Sequence, residues 1–153
     1  MPMTMPTTKT ATRPLQMEDR ARWDILARGY KTFYETVLTD AQYDEAWARL
    51  LHGQDVYGLG AHVDGRLVGI AHYMFHTSAW SAAACYLQDL FVDEAVRGQG
   101  VARALIEQVA QAARERGAPR FYWLTQQSNT TARTLYDKVA QYKGFIRYDY
   151  PMP

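Results

Sequence analysis

The sequence predicts an α/β (α+β) fold, one mixed sheet with helices on both of its faces. Three observations carry that prediction. Apolar residues recur at helical spacing from Trp23 to Val37, the pattern changes to period two from Val56, and a glycine-bearing turn, Arg97-Gly98-Gln99-Gly100-Val101-Ala102, joins an apolar run to an amphipathic one. With 153 residues and 48% hydrophobic content, the chain has the size of one ordinary domain and can bury a core without staples.

Residues 1–11 read as a disordered tail, because prolines, threonines and methionines give little apolar surface to offset the entropy of ordering; 12–153 read as a single domain. A short extended piece near Thr12 to Leu15 comes first. Trp23, Leu26, Ala27, Tyr30, Phe33, Tyr34 and Val37 then mark a helix, and Thr39-Asp40 punctuates it. A second helix is expected from about Ala41 to Leu51, with Tyr43, Trp47 and Leu50 inward and Gly53 closing it. Tyr57, Leu59, Ala61 and Val63 alternate along a strand, Asp64-Gly65 turns, and a second strand from Leu67 to about Phe75 completes a hairpin. Another strand spans Ala84 to Val92. The helix that follows the glycine turn buries Val101, Leu105, Ile106, Val109, Ala112 and Ala113; Arg114 and Arg116 suit its negative end, Gly117 its left-handed cap, and Pro119 stops it. Phe121 to Thr125 reads as a strand, Ser128-Asn129 as a helix cap, Ala132, Leu135, Tyr136 and Val139 as one helical face ended by Gly144, and Phe145 to Tyr150 as a last strand. The order is therefore β-α-α-β-β-β-α-β-α-β.

Charge and composition exclude several classes of function. The formal net charge is +1, from 17 basic and 16 acidic residues, so no global field draws the chain to nucleic acid or to an anionic membrane. A lone Cys85 inside an apolar run reads as core filling and fits the reducing cytoplasm. No segment has the length or apolar content of a signal peptide or membrane span. His62, His72 and His76 lack a Cys or carboxylate that completes a recognisable ligand set, so no metal is expected.

The glycine turn carries the chemistry. A strand, a turn and a helix N-terminus in that order leave the first helical N–H groups without intrahelical partners and aimed at whatever lies beyond the helix end, which makes an anion cradle. Gly98 and Gly100 let a pyrophosphate approach the backbone, and Arg97 adds positive charge. Neither common nucleotide loop fits. Gly-x-x-x-x-Gly-Lys-Ser/Thr is absent, and position 103, where a dinucleotide fingerprint has its third glycine, is Arg.

These residues resemble the GNAT superfamily of acetyl-CoA-dependent N-acetyltransferases. Its signature, Gln/Arg-x-x-Gly-x-Gly/Ala, is met by Arg97, Gly100 and Ala102, and its later signature by Asn129, Ala132, Tyr136 and Gly144-Phe145. The run Tyr86 to Val92 is most similar to the diamine and histone-and-polyamine acetyltransferases. The resemblance implies a mostly antiparallel sheet in which the strand ending at Val92 splays from the strand at Phe121, opening a slot for the pantetheine arm of acetyl-CoA. Backbone groups of Leu90 and Val92 then pair with that arm, and the N–H of Leu90 or Phe91 meets the oxyanion. The turn from Arg97 and Gly98 through Gln99, Gly100, Val101, Ala102 and Arg103 holds the pyrophosphate, and Asn129 and Lys138 lie near the rest of the co-substrate. A homodimer is the expected assembly.

Two departures bear on the acceptor side. Gln88 stands where the diamine enzymes have a Glu, and an amide cannot take a proton at ordinary pH. The segment from Asp137 to Lys143 is also longer than the family spacing. Asp89 is the nearest carboxylate, but alternation places it opposite Gln88, so it reads as a structural acceptor unless a bulge re-aims it. Tyr34, Gln88 and Asp89 are the candidate acceptor-binding residues. Tyr136 is the candidate acid for the departing thiolate, its rival role being a core tyrosine with a wet hydroxyl. The expected acceptor is a small amine, polyamine-like, or a protein lysine. A chain that kept the cradle and lost the chemistry would instead be an acyl-CoA sensor, which Gln88 favours and Tyr136 with Asn129 opposes.

Overall fold

A computed structural model of the chain describes residues 9–153. Five strands form one sheet in the order β1 (Thr10–Pro14), β2 (Tyr57–Val63), β3 (Arg66–His76), β4 (Ala84–Val92), β5 (Phe121–Trp123). Neighbours run antiparallel except β4 and β5, which are parallel. The helices are α1 (Arg20–Phe33), α2 (Asp40–His52), α3 (Val101–Arg116) and α4 (Thr130–Val139). The β1 strand begins at Thr10, inside the segment expected to be tail; residues 1–8 of that expectation lie outside the described residues.

Each well-marked boundary has a local cause. Thr39 caps α2 in a capping box with Gln42, and Gly53 ends it at φ 63°. The β2–β3 turn places Asp64 at φ 51° and Gly65 at φ 77°, the left-handed pair that matches strand twist in a two-residue hairpin. Gly117 closes α3 at φ 73°.

The core is divided by the sheet. Leu59, Ala71, Leu87 and Val92 meet Val101, Leu105, Ile106 and Val109 of α3 on one face, where Leu135, Tyr136 and Val139 of α4 also pack. Trp23, Leu26 and Ala27 of α1 and Tyr43, Trp47 and Leu50 of α2 meet Leu67 and Ile70 on the other. Close approach of α3 depends on Gly69, where a Cβ would come within 3.0 Å of Leu105 and Val101.

The structure corrects several expectations. Phe145 to Tyr150 is not a strand: among the described residues no neighbouring strand pairs with it, and Phe145, Ile146, Tyr148 and Tyr150 are exposed. The fourth helix ends at Val139, not at Gly144, because Ala140 is already extended. Asn129 occupies the N-cap of α4, but its side chain donates to Thr125 Oγ1 at 3.3 Å instead of capping. The first helix stops at Phe33, which leaves Val37 exposed. Two bulges alter the alternation. One, between Ala61 and His62, sets Val68 apart from Ile70 on β3; the other, between His72 and Tyr73, leaves Gln88 as an extra residue on β4.

Candidate active site

The turn after β4 is preorganised by its own hydrogen bonds. Asp93 accepts from the Ala95 N–H at 3.0 Å and from Arg22 at 3.1 Å, and a short 3-10 turn, Glu94–Val96, delivers the chain to Arg97. Gly98 and Gly100 adopt φ 81° and 82°, conformations that L side chains rarely hold, and a Cβ on either would meet no atom within 4 Å. Gly100 is the N-cap of α3 and supplies no side-chain cap, so the N–H groups of Val101, Ala102 and Arg103 in the first turn have no intrahelical acceptor. The turn, including Gln99, is exposed. Open space, free amides and the positive end of a 16-residue helix fit a pyrophosphate. Arg97 itself folds back: its Nε donates to the Val92 carbonyl at 3.2 Å and its guanidinium lies 5.5 Å from the centre of the Phe91 ring.

Beside the turn, the sheet opens. β5 pairs with Cys85, Tyr86 and Leu87 only, so the edge of β4 from Gln88 to Val92 has no β5 partner. Leu90, Phe91 and Val92 therefore lie along the stretch of β4 that β5 leaves unpaired. Tyr136 of α4 packs edge-on against Trp123, ring centres 5.3 Å apart. Burial, with Tyr34 nearby, pushes the Tyr136 hydroxyl up to about 12. Lys138 is exposed further along α4.

The bulge at Gln88 decides which way Asp89 faces. With one extra residue in β4, Leu87 opposes Tyr73 but Asp89 opposes His72, which turns Asp89 to the face covered by α1. Gln88 is left exposed. The Asp89 carboxylate is largely buried, yet it is held below the ordinary carboxylate range. Burial opposes its charge, and hydrogen bonds from His72 and Tyr30 with the nearby Lys31 charge outweigh that. Tyr34 and Tyr86 also lie within its field, and their hydroxyls are pushed up by burial and then by Asp89. Tyr86 stacks on Tyr122 at 5.1 Å, and Tyr30 meets Phe91 edge-on at 6.3 Å. Tyr34, Asp89 and Tyr136 are thus brought together, whereas Gln88 and Lys138 are not among them.

Sequence reasoning took Tyr30 as a core-facing helix residue and weighed His72 only as a metal ligand. Helical period carried a signal for Tyr30, since it shares a face with Tyr34. Nothing local marked His72.

The Acetyltransferase (GNAT) family model matches residues 23–141. This chain belongs to the GNAT acetyltransferase family. D-amino-acid N-acetyltransferase HPA3 of Saccharomyces cerevisiae is 33% identical over 151 residues, 96% of this chain and 94% of the relative. Thialysine N-epsilon-acetyltransferase of Mus musculus is 26% identical over 120 residues, 78% of this chain and 71% of that protein. Among solved structures, the aminoglycoside N-acetyltransferase AAC(6')-Iy in complex with CoA superposes with a TM-score of 0.85 at 17% identity, over 98% of this chain and 99% of that one. The GNAT member described here is an acetyl-CoA-dependent N-acetyltransferase with the mixed, mostly antiparallel sheet of that fold.

Proposed function

We propose that this acetyltransferase acts on the primary amine of a small cationic molecule, and that Asp89 anchors it. The observation that carries the reading is a largely buried, ionised carboxylate at the edge of the β4–β5 gap, walled by Tyr30, Tyr34 and Tyr86. Such a box receives an alkylammonium: the Asp89 charge pairs with it and favours its charged form, while removal of its water favours the neutral amine that nucleophilic attack requires. Free alkylamines have a pKa of about 10, so near neutrality the proton must leave to water before attack.

The remaining roles follow from position. Amides at Gln99 to Arg103 hold the pyrophosphate, and β4 backbone groups at Leu90 and Val92 align the pantetheine arm in the gap. When bound there, acetyl-CoA supplies the activated acetyl group. The neutral amine forms a bond to the acetyl carbon, the N–H of Leu90 or Phe91 receives the charge that develops on oxygen, and the carbon–sulfur bond breaks. Tyr136, kept protonated, gives its proton to the thiolate, and the amine loses its extra proton to water. Asn129 at the start of α4 and Lys138 in its last turn would meet the rest of acetyl-CoA.

The named substrates of relatives, a D-amino acid and thialysine, support a small acceptor over a protein lysine. A thiol-release screen across D-amino acids, thialysine, polyamines, aminoglycosides and lysine peptides tests it. Turnover confined to peptides overturns the small-amine reading, and no turnover in a protein that binds acetyl-CoA supports the sensor.

The reading also takes the working protein to be a cytoplasmic homodimer. Support for self-association comes from the C-terminal segment, where Tyr142, Phe145, Ile146, Tyr148, Tyr150 and Met152 are all exposed. Sedimentation velocity at micromolar concentration should give a dimer; a monomer at every concentration removes it.

A further inference from the structure

Three elements meet behind Asp89 in a chain of hydrogen bonds. The Trp23 indole Nε1–H on α1 donates to His72 Nε2 on β3 at 3.0 Å, and His72 Nδ1 stands 2.9 Å from the Asp89 carboxylate Oδ2 on β4. An indole N–H can only donate, so His72 Nε2 must present its lone pair. The ring proton is then on Nδ1, where it meets Oδ2. Both ring nitrogens are committed to these hydrogen bonds, so the ring is held between the indole and the Asp89 carboxylate.

We propose that Trp23 and His72 are positioning residues for the acceptor: Trp23 fixes the His72 tautomer, and His72 aims the Asp89 carboxylate at the incoming ammonium. The inference rests on the reading of Asp89 as the ammonium anchor. Packing keeps the first member rigid. Trp23 is 1% exposed, lies 5.0 Å from the Trp47 ring and meets Tyr43 edge-on at 6.4 Å. The opposite tautomer would set the Nδ1 lone pair against a carboxylate oxygen and the Nε2–H against the indole N–H, two repulsive contacts in place of two hydrogen bonds. Because Asp89 follows the Gln88 bulge, where the β3–β4 ladder is interrupted, a side-chain clamp from β3 supplies orientation that regular pairing does not.

The test reads tautomer and kinetics together. The chain has four histidines, so long-range proton–nitrogen-15 correlation at pH 7.5 resolves His72, assigned by the signal missing in His72→Asn. Wild type should show the Nδ1–H form, and Trp23→Phe should admit the Nε2–H form. With n-butylamine as acceptor, His72→Ala should raise the acceptor KM about tenfold, as loss of an orienting partner does, with KM for acetyl-CoA unchanged and the smaller effect on kcat. His72→Asn, which keeps an N–H donor near the Nδ1 position, should restore most of the loss. A wild-type ring in the Nε2–H form overturns the proposal, as does an unchanged acceptor KM in His72→Ala where Asp89→Asn raises it. An acceptor KM unaffected by Asp89→Asn overturns the anchor reading itself.

Discussion

The proposed role of Tyr136 asks one side chain to satisfy packing and chemistry at once. Its ring fills space against Trp123 and the α3-side core, and the same burial keeps its hydroxyl protonated, up to about 12, through any ordinary assay pH. Tyr136→Phe retains the ring and removes the proton donor, so kcat should fall on the order of a hundredfold, with calorimetric affinity for acetyl-CoA little changed. Equal turnover in the variant would assign the residue to packing alone. Asp89 constrains the pH–rate profile in the opposite sense. Its carboxyl lies below the usual value of 3.8, so it is already ionised near neutrality and cannot supply an ascending limb there. That limb should instead follow the acceptor, moving when amines of different basicity are compared. A fixed limb that vanishes in Asp89→Asn would make Asp89 the base.

Elements, not single residues, set the geometry of the gap. α3 must approach β3 closely for its N-terminus to sit beside the end of β4, and Gly69 permits that approach. Gly69→Ala would force Leu105 or Val101 aside, with an expected loss of about 1–3 kcal/mol read as a lower denaturation midpoint. At the other side of the same helix end, Gly100 holds φ 82° with its Cβ position empty. Gly100→Val combines a β-branched residue at positive φ with a side chain where phosphate should lie, so acetyl-CoA affinity should drop in calorimetry. Unchanged affinity in a folded variant would place the co-substrate elsewhere. A depression of about 250 Å³ lined by Tyr57, Tyr73, Phe75 and Arg116 lies near the C-terminal end of α3 and takes no part in this arrangement.

At the scale of the whole molecule, buried titratable groups bound the pH range of stability. Asp19 is lowered although burial opposes its charge, because Arg13 and His62 hydrogen-bond it; Asp93 is lowered by the Ala95 N–H and Arg22, and Asp89 as described. A depressed carboxyl stabilises the fold above its unfolded value near 3.8 and loses that contribution as pH falls through the folded one. Tyr30, Tyr34, Tyr73, Tyr86 and Tyr136 shift upward, chiefly by burial. Their neutral forms stabilise the fold below 10.0, and that is lost as pH rises beyond. Thermal midpoints should therefore form a plateau that falls at the acid end below about 4 and at the alkaline end above about 10. A steep decline between pH 6 and 8 would contradict this account.

The sequence by itself determined the order of elements up to α4, the two-sided sheet and the glycine turn that opens α3, because each is a local pattern. Helical period and alternation report which face is apolar, and a left-handed turn or helix end demands residues such as Gly53, Gly65, Gly100 and Gly117. Only the tertiary structure decided which way Asp89 faces. A bulge inserts one residue against a partner strand and reverses every side chain beyond it, so the swing of Asp89 toward His72 and Tyr30 depends on β3 and leaves no mark in β4 itself. The same reason explains the C-terminal expectation. Phe145 to Tyr150 alternates as a strand does, but a strand exists only where a neighbour supplies the other half of its hydrogen bonds, and among the described residues no strand lies there.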